Sequence, residues 1–447
     1  MGAAWPAGDA GAACGSSLLR RRLIAVARSA GVRVAISVMM SVMTTHAPDR
    51  RTEILAAAQR VILRDGIDGI RSQAIASEAG VSVALPHYYY PTLDDLARAV
   101  WDQVDAAERA REDAMLAGTA APISSLRAFV VGAFAGPVEQ VRERWMLHTE
   151  FQRRAIFDAG LAEVVRAADQ RRLAALATII TAAQAEGDVP AGADRDVVAA
   201  RIAGAMDGFG VMLLVGLVSP TVASADLERL LARRGGWGAA HRHRHADVPV
   251  APAVGGEDRR TKVLDATIDL VAREGIAGVH FPEVADAAGV SRSLPRYYYR
   301  TLNELLRAAF ARDEEVARQR VEWRASHIDD PLARLRDAYS HSLAADPVGV
   351  RATWVLWFEY LRLAARDPAE RRRASGRLAA WIAYDSTLLR ELRHTGRIAE
   401  TIDIDAAEQH LLAVHNGAGA LWALGVLPLE RYIEVVDATI DDELGLT

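Results

Sequence analysis

The same stretch of twelve residues occurs twice in this chain of 447 residues. It reads AGVSVALPHYYY at 79–90 and AGVSRSLPRYYY at 288–299, an offset of 209 residues (289 − 80 for the shared glycine). The offset persists far beyond this stretch, which indicates that a whole folding unit is duplicated. Whatever fold one copy adopts, the other copy is expected to adopt as well. Further identical pairs at this offset are Pro122/Pro331, Trp145/Trp354, Glu150/Glu359 and Gly210/Gly419.

Each copy of the stretch has the pattern of a helix-turn-helix. The glycine of Ala-Gly-Val-Ser, Gly80 or Gly289, supplies the left-handed backbone angle that the turn requires. The serine that follows is expected to cap the next helix, which carries a tyrosine triplet. Upstream, apolar residues at helical spacing predict a longer helix, with Asp49 as its N-cap in copy one and Asp258 in copy two.

The composition favours an all-α protein with a packed core. Hydrophobic residues make up 51% of the chain and aromatic residues only 6%. The net charge of −5 excludes a global basic field, so binding of nucleic acid must depend on local patches. The single cysteine, Cys14, excludes an internal disulfide and a cysteine-rich zinc site, and it suits a reducing cytoplasm. No apolar run approaches the roughly 18 residues of a membrane span, so no transmembrane helix is expected.

The repeat and the local composition divide the chain into six segments. Residues 1–48 are rich in glycine and alanine, and a disordered extension is expected there rather than a secretion signal. Residues 235–257 form a linker whose histidine cluster at 241–245 lacks the acid or cysteine of a metal site, which favours a solvated linker. The helix-turn-helix domains are predicted at 49–110 and 258–319, and longer helical domains at 111–234 and 320–447. The helices of the first longer domain are expected at 122–135, 138–157, 161–186, 194–217 and 224–234.

Each amino-terminal segment resembles the TetR family of transcriptional regulators. The family pattern of Ile-Ala, Ala-Gly-Val-Ser, an aromatic run and an acidic helix start appears from Ile75 to Leu96 and, with Val284 for the isoleucine, through Leu305. The resemblance implies a helix-turn-helix whose second helix enters the major groove of DNA. It also implies a regulatory domain that binds a small effector, and a four-helix interface made by the last two helices of two subunits. Binding of the effector would change the separation of the two DNA-reading heads.

Candidate DNA contacts lie on and beside the second helix of each helix-turn-helix. Arginine can pair bidentately with guanine, and Arg292 and Arg296, four residues apart, are expected to share one helical face. Small apolar side chains can contact thymine methyl groups, and tyrosine and threonine hydroxyls can donate to phosphates. The candidates are Arg51, Val83, Ala84, His87, Tyr88, Tyr89 and Thr92 in copy one, and Arg260, Arg292, Ser293, Arg296, Tyr297, Tyr298 and Thr301 in copy two.

Other residues near the reading helix are expected to have structural roles. Pro86 and Pro295 fall inside the reading helices, and because proline is comfortable only in the first turn, these helices are expected to start late. The third tyrosine of each triplet takes the family's buried aromatic position. The next helix begins with a capping-box pattern, in which the Glu304 of copy two is expected to serve better than the shorter aspartate of copy one.

The regulatory domains offer three aligned positions for an effector. Ordinary helical packing is the favoured interpretation of these residues, and the alternative is a pocket for an apolar ligand with one polar anchor. No nucleophile–base pair, phosphate-binding glycine loop or metal-ligating motif is present, so no enzyme, cofactor or metal is expected. The aligned residues are Trp145, His148 and Glu150 in copy one, and Trp354, Trp357 and Glu359 in copy two.

Together these patterns predict a cytoplasmic, ligand-responsive repressor in which one chain supplies both DNA-reading heads. Helices at 194–217 and 224–234 would meet those at 403–425 and 428–443, so that the chain acts as a monomeric pseudo-dimer on an asymmetric DNA operator. A dimer of chains is the alternative arrangement. A different class of function stays open, because residues 49–96 carry a net charge of −2 and residues 258–305 a net charge of 0. An acidic head suits a ligand-binding or adaptor protein that no longer binds DNA.

Overall fold

In the computed structural model, the described part of the chain is all-α, as the composition predicted. The structure describes residues 50–119, 121–232, 258–341 and 347–446, together with Trp237 and Val248. The chain divides into two compact units at a point within the first helix. Residues 50–56 represent the first unit, and the contacts below belong to the second unit, Ala57–Thr447.

Copy one begins with a head of three helices, the second and third of them short, followed by a long helix and a regulatory domain. All five helices predicted for the regulatory domain are present, with shifted ends. The head comprises α1 (Arg50–Asp65), a 3-10 turn (Ile67–Gly69), α2 (Ser72–Ala79) and α3 (Ala84–Tyr89). The remaining helices are α4 (Leu93–Leu116), α5 (Pro122–Gly132), α6 (Val138–Ala155), α7 (Ala159–Glu186), α8 (Arg195–Leu214) and α9 (Pro220–Ala232).

Copy two repeats this order at the same offset, which confirms the duplication. Its head comprises α10 (Arg259–Glu274), a 3-10 turn (Ile276–Gly278), α11 (Phe281–Ala287) and α12 (Leu294–Tyr298). The long helix is α13 (Leu302–Ala325), and α14 (Pro331–Arg336) continues into a π-helical turn (Asp337–His341). The last helices are α15 (Pro347–Arg366), α16 (Pro368–His394), α17 (Ile404–Ala423) and α18 (Leu429–Leu444).

A threonine caps the long helix of each copy. The hydroxyl of Thr92 accepts from the Asp95 N–H at 3.0 Å, and the Asp95 carboxylate accepts from the Thr92 N–H at 3.1 Å, so the capping box is complete. Thr301 likewise accepts from the Glu304 N–H at 3.2 Å, but the Glu304 carboxylate accepts from the Arg300 N–H instead, at 2.9 Å. The expectation that glutamate makes the better box was wrong, because its longer side chain reaches one residue past the cap.

The two copies pack against each other through α8 and α17, the most extensive helix pair in the described structure. A Cβ on Gly208 would lie 1.8 Å from the Ala413 carbonyl oxygen, and one on Gly417 would lie 2.0 Å from that of Gly204. The two backbones are therefore in direct contact, which only glycine permits at these positions. α9 and α18 each contact both α8 and α17. The predicted four-helix interface thus forms within one chain.

The same helix is the one in the described structure that has the length and composition of a membrane span. Arg195–Leu214 is, by length and composition, apolar enough to cross a bilayer, with a mean hydropathy of 1.6 over its most apolar window. All of that window is buried inside the protein. α8 is enclosed by both copies and therefore needs no polar face, and Arg201 and Asp207 interrupt its apolar sequence.

Some predicted segments lie outside the described residues, namely the extension at 1–48, the N-cap Asp49 and the histidine cluster at 241–245. The linker at 235–257 is described only at Trp237 and Val248. Trp237 is buried in the hydrophobic core, and the Val248 carbonyl accepts from Arg324 at 3.4 Å. At these two residues the linker is packed, which corrects the expectation that it is solvated throughout.

Candidate nucleic-acid interface and regulatory core

The turn between the two short helices of each head has the predicted geometry. Gly80 and Gly289 have φ angles of 66° and 64°, in the left-handed region that favours glycine. The serines that follow were expected to cap the reading helix, and this was wrong. The Ser82 carbonyl accepts from the Leu85 N–H at 3.0 Å, so the serine belongs to a further turn that precedes α3.

The reading helices start late, as their prolines predicted. Pro86 lies in the first turn of α3 and Pro295 at the second position of α12, where proline removes no helical hydrogen bond. Arg292 and Ser293 consequently precede α12. The expectation that Arg292 and Arg296 share a helical face was wrong, since only Arg296 lies within the helix.

Both arginines are exposed on the surface of the second head, and each has a neighbour. The Arg292 guanidinium lies 3.3 Å from the Asp286 carboxylate. The Arg296 guanidinium lies over the Phe281 ring, 4.9 Å from its centre. Stacking uses the face of a guanidinium and not its N–H edge, so it orients Arg296 without consuming its donors.

Solvent exposure decreases from the first to the third tyrosine of the triplet in both heads. The first tyrosine is 79% exposed in copy one (Tyr88) and 81% exposed in copy two (Tyr297). Tyr89 and Tyr298 are half-buried. The third tyrosine of each triplet is buried, as expected for the core position.

The other candidates of copy one are surface residues with local partners. Val83 and Ala84 are exposed at the start of α3, and Arg51 is exposed in the first turn of α1. His87 lies 2.7 Å from the hydroxyl of Ser72 on α2. The Thr92 hydroxyl donates to the Asp95 carboxylate at 2.7 Å, so the proton proposed for a phosphate is already used.

The other candidates of copy two are placed differently. Ser293 is exposed directly before α12, and Thr301 is exposed at the start of α13. Arg260 donates to the hydroxyl of the buried Tyr299 at 3.1 Å, and so it helps to hold α10 against the triplet. In head one, by contrast, Arg60 and Arg64 pair with Glu78 at 2.7 and 3.0 Å, which reduces the positive charge available to DNA.

The predicted tryptophans belong to the core. A Cβ on Gly210 would lie 2.3 Å from the Trp145 ring, and one on Gly419 would lie 2.4 Å from the Trp354 ring. Each buried tryptophan therefore packs directly on a helix backbone of its own copy. Trp357 is also buried, and its indole N–H donates to Asn416 at 3.0 Å. All three rings therefore lie in the core, as the favoured interpretation predicted.

The two predicted glutamates connect the regulatory helices to the heads. Both are buried. Glu150 accepts from the backbone N–H of Ile67 at 3.4 Å, and Glu359 accepts from that of Ile276 at 2.8 Å. Burial opposes ionisation of Glu150, but the neighbouring arginines outweigh it and lower its pKa. These carboxylates therefore hold the 3-10 turn of each head.

Sequence reasoning missed an arginine that joins the two copies. Arg153 on α6 pairs with Glu359 of copy two, with Glu150 at 3.1 Å and with Asp68 of head one at 2.7 Å. Its counterpart at the offset of 209, Arg362, lies 3.7 Å from the same Asp68. The matched arginines were visible in the sequence, but nothing local indicated that both reach one aspartate.

Two family models match this chain. The model described as "BetI-type transcriptional repressor, C-terminal" matches residues 122–235 and 331–445, together just over half of the chain. The model described as "Bacterial regulatory proteins, tetR family" matches residues 54–100. The chain belongs to the TetR family.

Individual relatives of this TetR-family chain are distant. A stretch of 88 residues is 26% identical to the HTH-type transcriptional regulator AcrR of Shigella flexneri, and it covers 20% of this chain and 41% of AcrR. A solved TetR-like regulator from Rhodococcus sp. RHA1 is 21% identical, with 42% of this chain and 97% of that chain covered and a TM-score of 0.35. A transcriptional regulator from Saccharomonospora viridis, solved in complex with choline, is 24% identical, with coverages of 41% and 95% and a TM-score of 0.38.

The first TetR-family unit holds a charged network where α6, α7 and α8 meet. Arg172 donates to both oxygens of Asp207, at 2.6 and 2.7 Å, and to Asp169 at 3.1 Å. His148 lies 3.6 Å from Asp207; burial opposes its protonation, but this carboxylate outweighs burial and raises the pKa of His148. His148, Asp169 and Asp207 offer metal-ligating atoms within 4.8 Å of one another. Arg172 already supplies the positive charge that a metal ion would bring.

The second unit fills the same place with uncharged side chains and has its own polar network elsewhere. Leu378 and Asn416 stand where copy one has Asp169 and Asp207. The separate network of copy two links Tyr339, Asp385, Ser386, Glu408, His415 and Tyr432. The residues at the equivalent positions of copy one are Val130, Leu176, Ala177, Ala199, Met206 and Ala223.

Proposed function

We propose that this chain is a cytoplasmic, ligand-responsive transcriptional repressor that binds one asymmetric DNA operator as a covalent pseudo-dimer. The observation that carries this proposal is the backbone contact of α8 with α17, which pairs the two TetR-like units inside one chain. Two identical heads require a palindromic site, whereas two different heads fit two different half-sites.

The reading positions supply that difference. Head one offers Val83, Ala84 and His87, which suit thymine methyl groups and a single hydrogen bond. Head two offers Arg296 on α12, with Ser293 and Arg292 just before the helix, which suit a guanine and the adjoining backbone. The exposed tyrosines, Tyr88 and Tyr297, are proposed to donate to phosphates, since their hydroxyl-bearing side chains are open to solvent.

Effector binding is proposed for the regulatory domains, with different ligand chemistry in each. The charged network around His148 in copy one suits a polar ligand. The aromatic surroundings of Trp357 in copy two suit an apolar one. The glutamates that hold the 3-10 turns give a route from either domain to a head, because a shift of α6 or α15 moves the acceptor of the Ile67 or Ile276 N–H.

The test is the stoichiometry on DNA. Fragments selected from the source genome by the purified chain should contain one non-palindromic site, and light scattering of the complex should give one chain per minimal operator. Two chains on the minimal operator would contradict the pseudo-dimer. If no fragment is selected and no mobility shift is seen with the promoter of its own gene, the adaptor function is favoured instead.

A further inference from the structure

The face through which copy one meets copy two contains a buried cation. Arg201 of α8 is only 3% exposed. It pairs with Asp442 of α18, and its guanidinium lies 3.5 Å from the carboxylate of Glu443 on the same helix. A guanidinium withdrawn from water is strongly destabilising unless it is paired. Both carboxylates come from copy two, so copy one depends on that partner at this point.

The equivalent positions have the opposite charge. At the offset of 209 residues, Arg201 corresponds to His410, and Asp442 and Glu443 correspond to Arg233 and Arg234. The sequence of copy one has arginines and no acids at these two positions, so a second copy of copy one would not supply the carboxylates that pair with Arg201. If copy two paired with another copy two, the acids would meet a histidine in place of an arginine. Only the mixed pair matches the buried arginine with two carboxylates.

The histidine also has a fixed place in the mixed pair. One ring nitrogen of His410 lies 3.0 Å from Glu443, and the other lies 2.9 Å from the carbonyl of Asp226 in copy one. The ring of Phe209 from copy one meets His410 edge-on, with 6.1 Å between the ring centres. Because α8 and α17 are in backbone contact at Gly208, the helices cannot slide to bring other groups together.

We propose that the pairing face of copy one selects copy two by charge and rejects a second copy of itself. The proposal deepens the pseudo-dimer by specifying which pairings are allowed, and it can be tested without DNA. A duplicated chain could otherwise join other chains, like with like, into open assemblies. If charge selects the partner, two arrangements are stable. Copy one pairs with copy two of the same chain, or two chains exchange partners so that copy one of each pairs with copy two of the other.

The test uses the full chain with the copy-two acids converted to the residue type found in copy one. Asp442→Arg combined with Glu443→Arg should lower Tm by roughly 5–10 °C, since Arg201 loses its partners and gains like charges. Light scattering should show a rise above the mass of one chain as the unpaired faces associate. A control with the same change in net charge is Asp405→Arg with Glu430→Arg, both exposed in the first turns of α17 and α18. It should lower Tm by only about 2–4 °C, through the helix dipoles, and leave the mass unchanged.

Reversing the charge at Arg201 tests the charge selection even if the first variant does not fold. Adding Arg201→Glu to the converted acids restores opposite charges, and it should recover the mass of one chain and most of the lost Tm. No recovery, or an unchanged Tm in the first variant, would overturn the charge selection. If the wild-type chain forms a stable two-chain particle, copy one of each chain can still pair with copy two of the other chain. That result would contradict the proposal of one chain per operator, and it would leave the mixed pairing intact.

Discussion

Copy one and copy two share one backbone frame but bury different chemistry in it. Between α6, α7 and α8, copy one has a network of charges centred on Arg172, whereas copy two has Trp381 and Leu378 at the equivalent places. Where copy two has Asp385 bonded to Tyr339, copy one is wholly apolar. A buried position tolerates either an apolar side chain or a polar one whose partners are supplied, because the cost lies in the unpaired group. Duplicated regulatory domains can therefore diverge in chemistry while their helices stay in register.

The largest expected effect comes from removing the cation of the copy-one network. Arg172→Ala removes the guanidinium that pairs with Asp169 and Asp207 and leaves His148 as the remaining group that can carry a positive charge beside them. It should lower the free energy of unfolding by about 3–5 kcal/mol. Trp381→Ala at the equivalent, half-buried position of copy two removes packing alone and should cost less. Urea unfolding of the two variants measures both values. Equal losses would mean that the charged network is no more critical than ordinary packing.

The second-largest effect is expected from substitutions in the two reading helices, which should weaken DNA binding to different extents. Arg296→Ala should weaken operator binding by about 1–3 kcal/mol and relax the base preference at one position. His87→Ala at the equivalent place of head one should cost less, because His87 already faces the Ser72 hydroxyl at 2.7 Å. Fluorescence anisotropy on operators with single base changes tests this. If Arg296→Ala weakens every sequence equally, the arginine contacts phosphate and not a base.

The buried acid of copy two should make stability depend on pH through a position where copy one has no titratable group. Burial raises the pKa of Asp385 from 3.8 to about 8, with the Tyr339 hydroxyl opposing the shift and the neighbouring Glu408 adding to it. The folded state therefore holds a proton that the unfolded state has released between these values. Stability contributed by this group is full below about pH 4 and falls as pH rises towards 8, by at most about 1.4 kcal/mol per unit.

Asp385→Asn should reduce that slope, since an amide keeps an acceptor for the Tyr339 hydroxyl and does not titrate. Melting curves between pH 5 and 8 compare the variant with the wild type. An unchanged slope would show that Asp385 does not carry the proton. Copy one has Leu176 at this position and adds no such term.

The smallest effect concerns how firmly each head is held. Arg153 and Arg362 both approach Asp68 of head one, whereas the equivalent residue of head two is Ala277. Asp68→Ala should destabilise the turn at 67–69 locally by about 1 kcal/mol, as expected for loss of a charged contact with other partners retained. Hydrogen exchange at Ile67 should then approach that at Ile276. Faster exchange at Ile67 in the wild type would contradict the difference between the heads.

Much of the candidate site followed from local patterns. The tyrosine triplet divided into exposed, half-buried and buried members because three successive residues cannot face one core. The prolines correctly predicted that the reading helix starts late. The same late start places Arg292 outside the helix, which contradicts the shared helical face expected for Arg292 and Arg296. The role of Glu150 was also missed, because a buried carboxylate looks the same in sequence whether it binds a ligand or a backbone N–H group.

The sequence alone determined the duplication, the helix order, the glycine turns and the threonine caps. These features depend on backbone angles and on contacts between residues three or four apart, and the printed residues specify both. Only the tertiary structure decided which distant groups meet. Arg153 and Glu359 are separated by 206 positions, and Arg201 and Asp442 by 241. Such pairs depend on the packing of whole helices, and each one sets a buried charge of one copy against an opposite charge of the other copy.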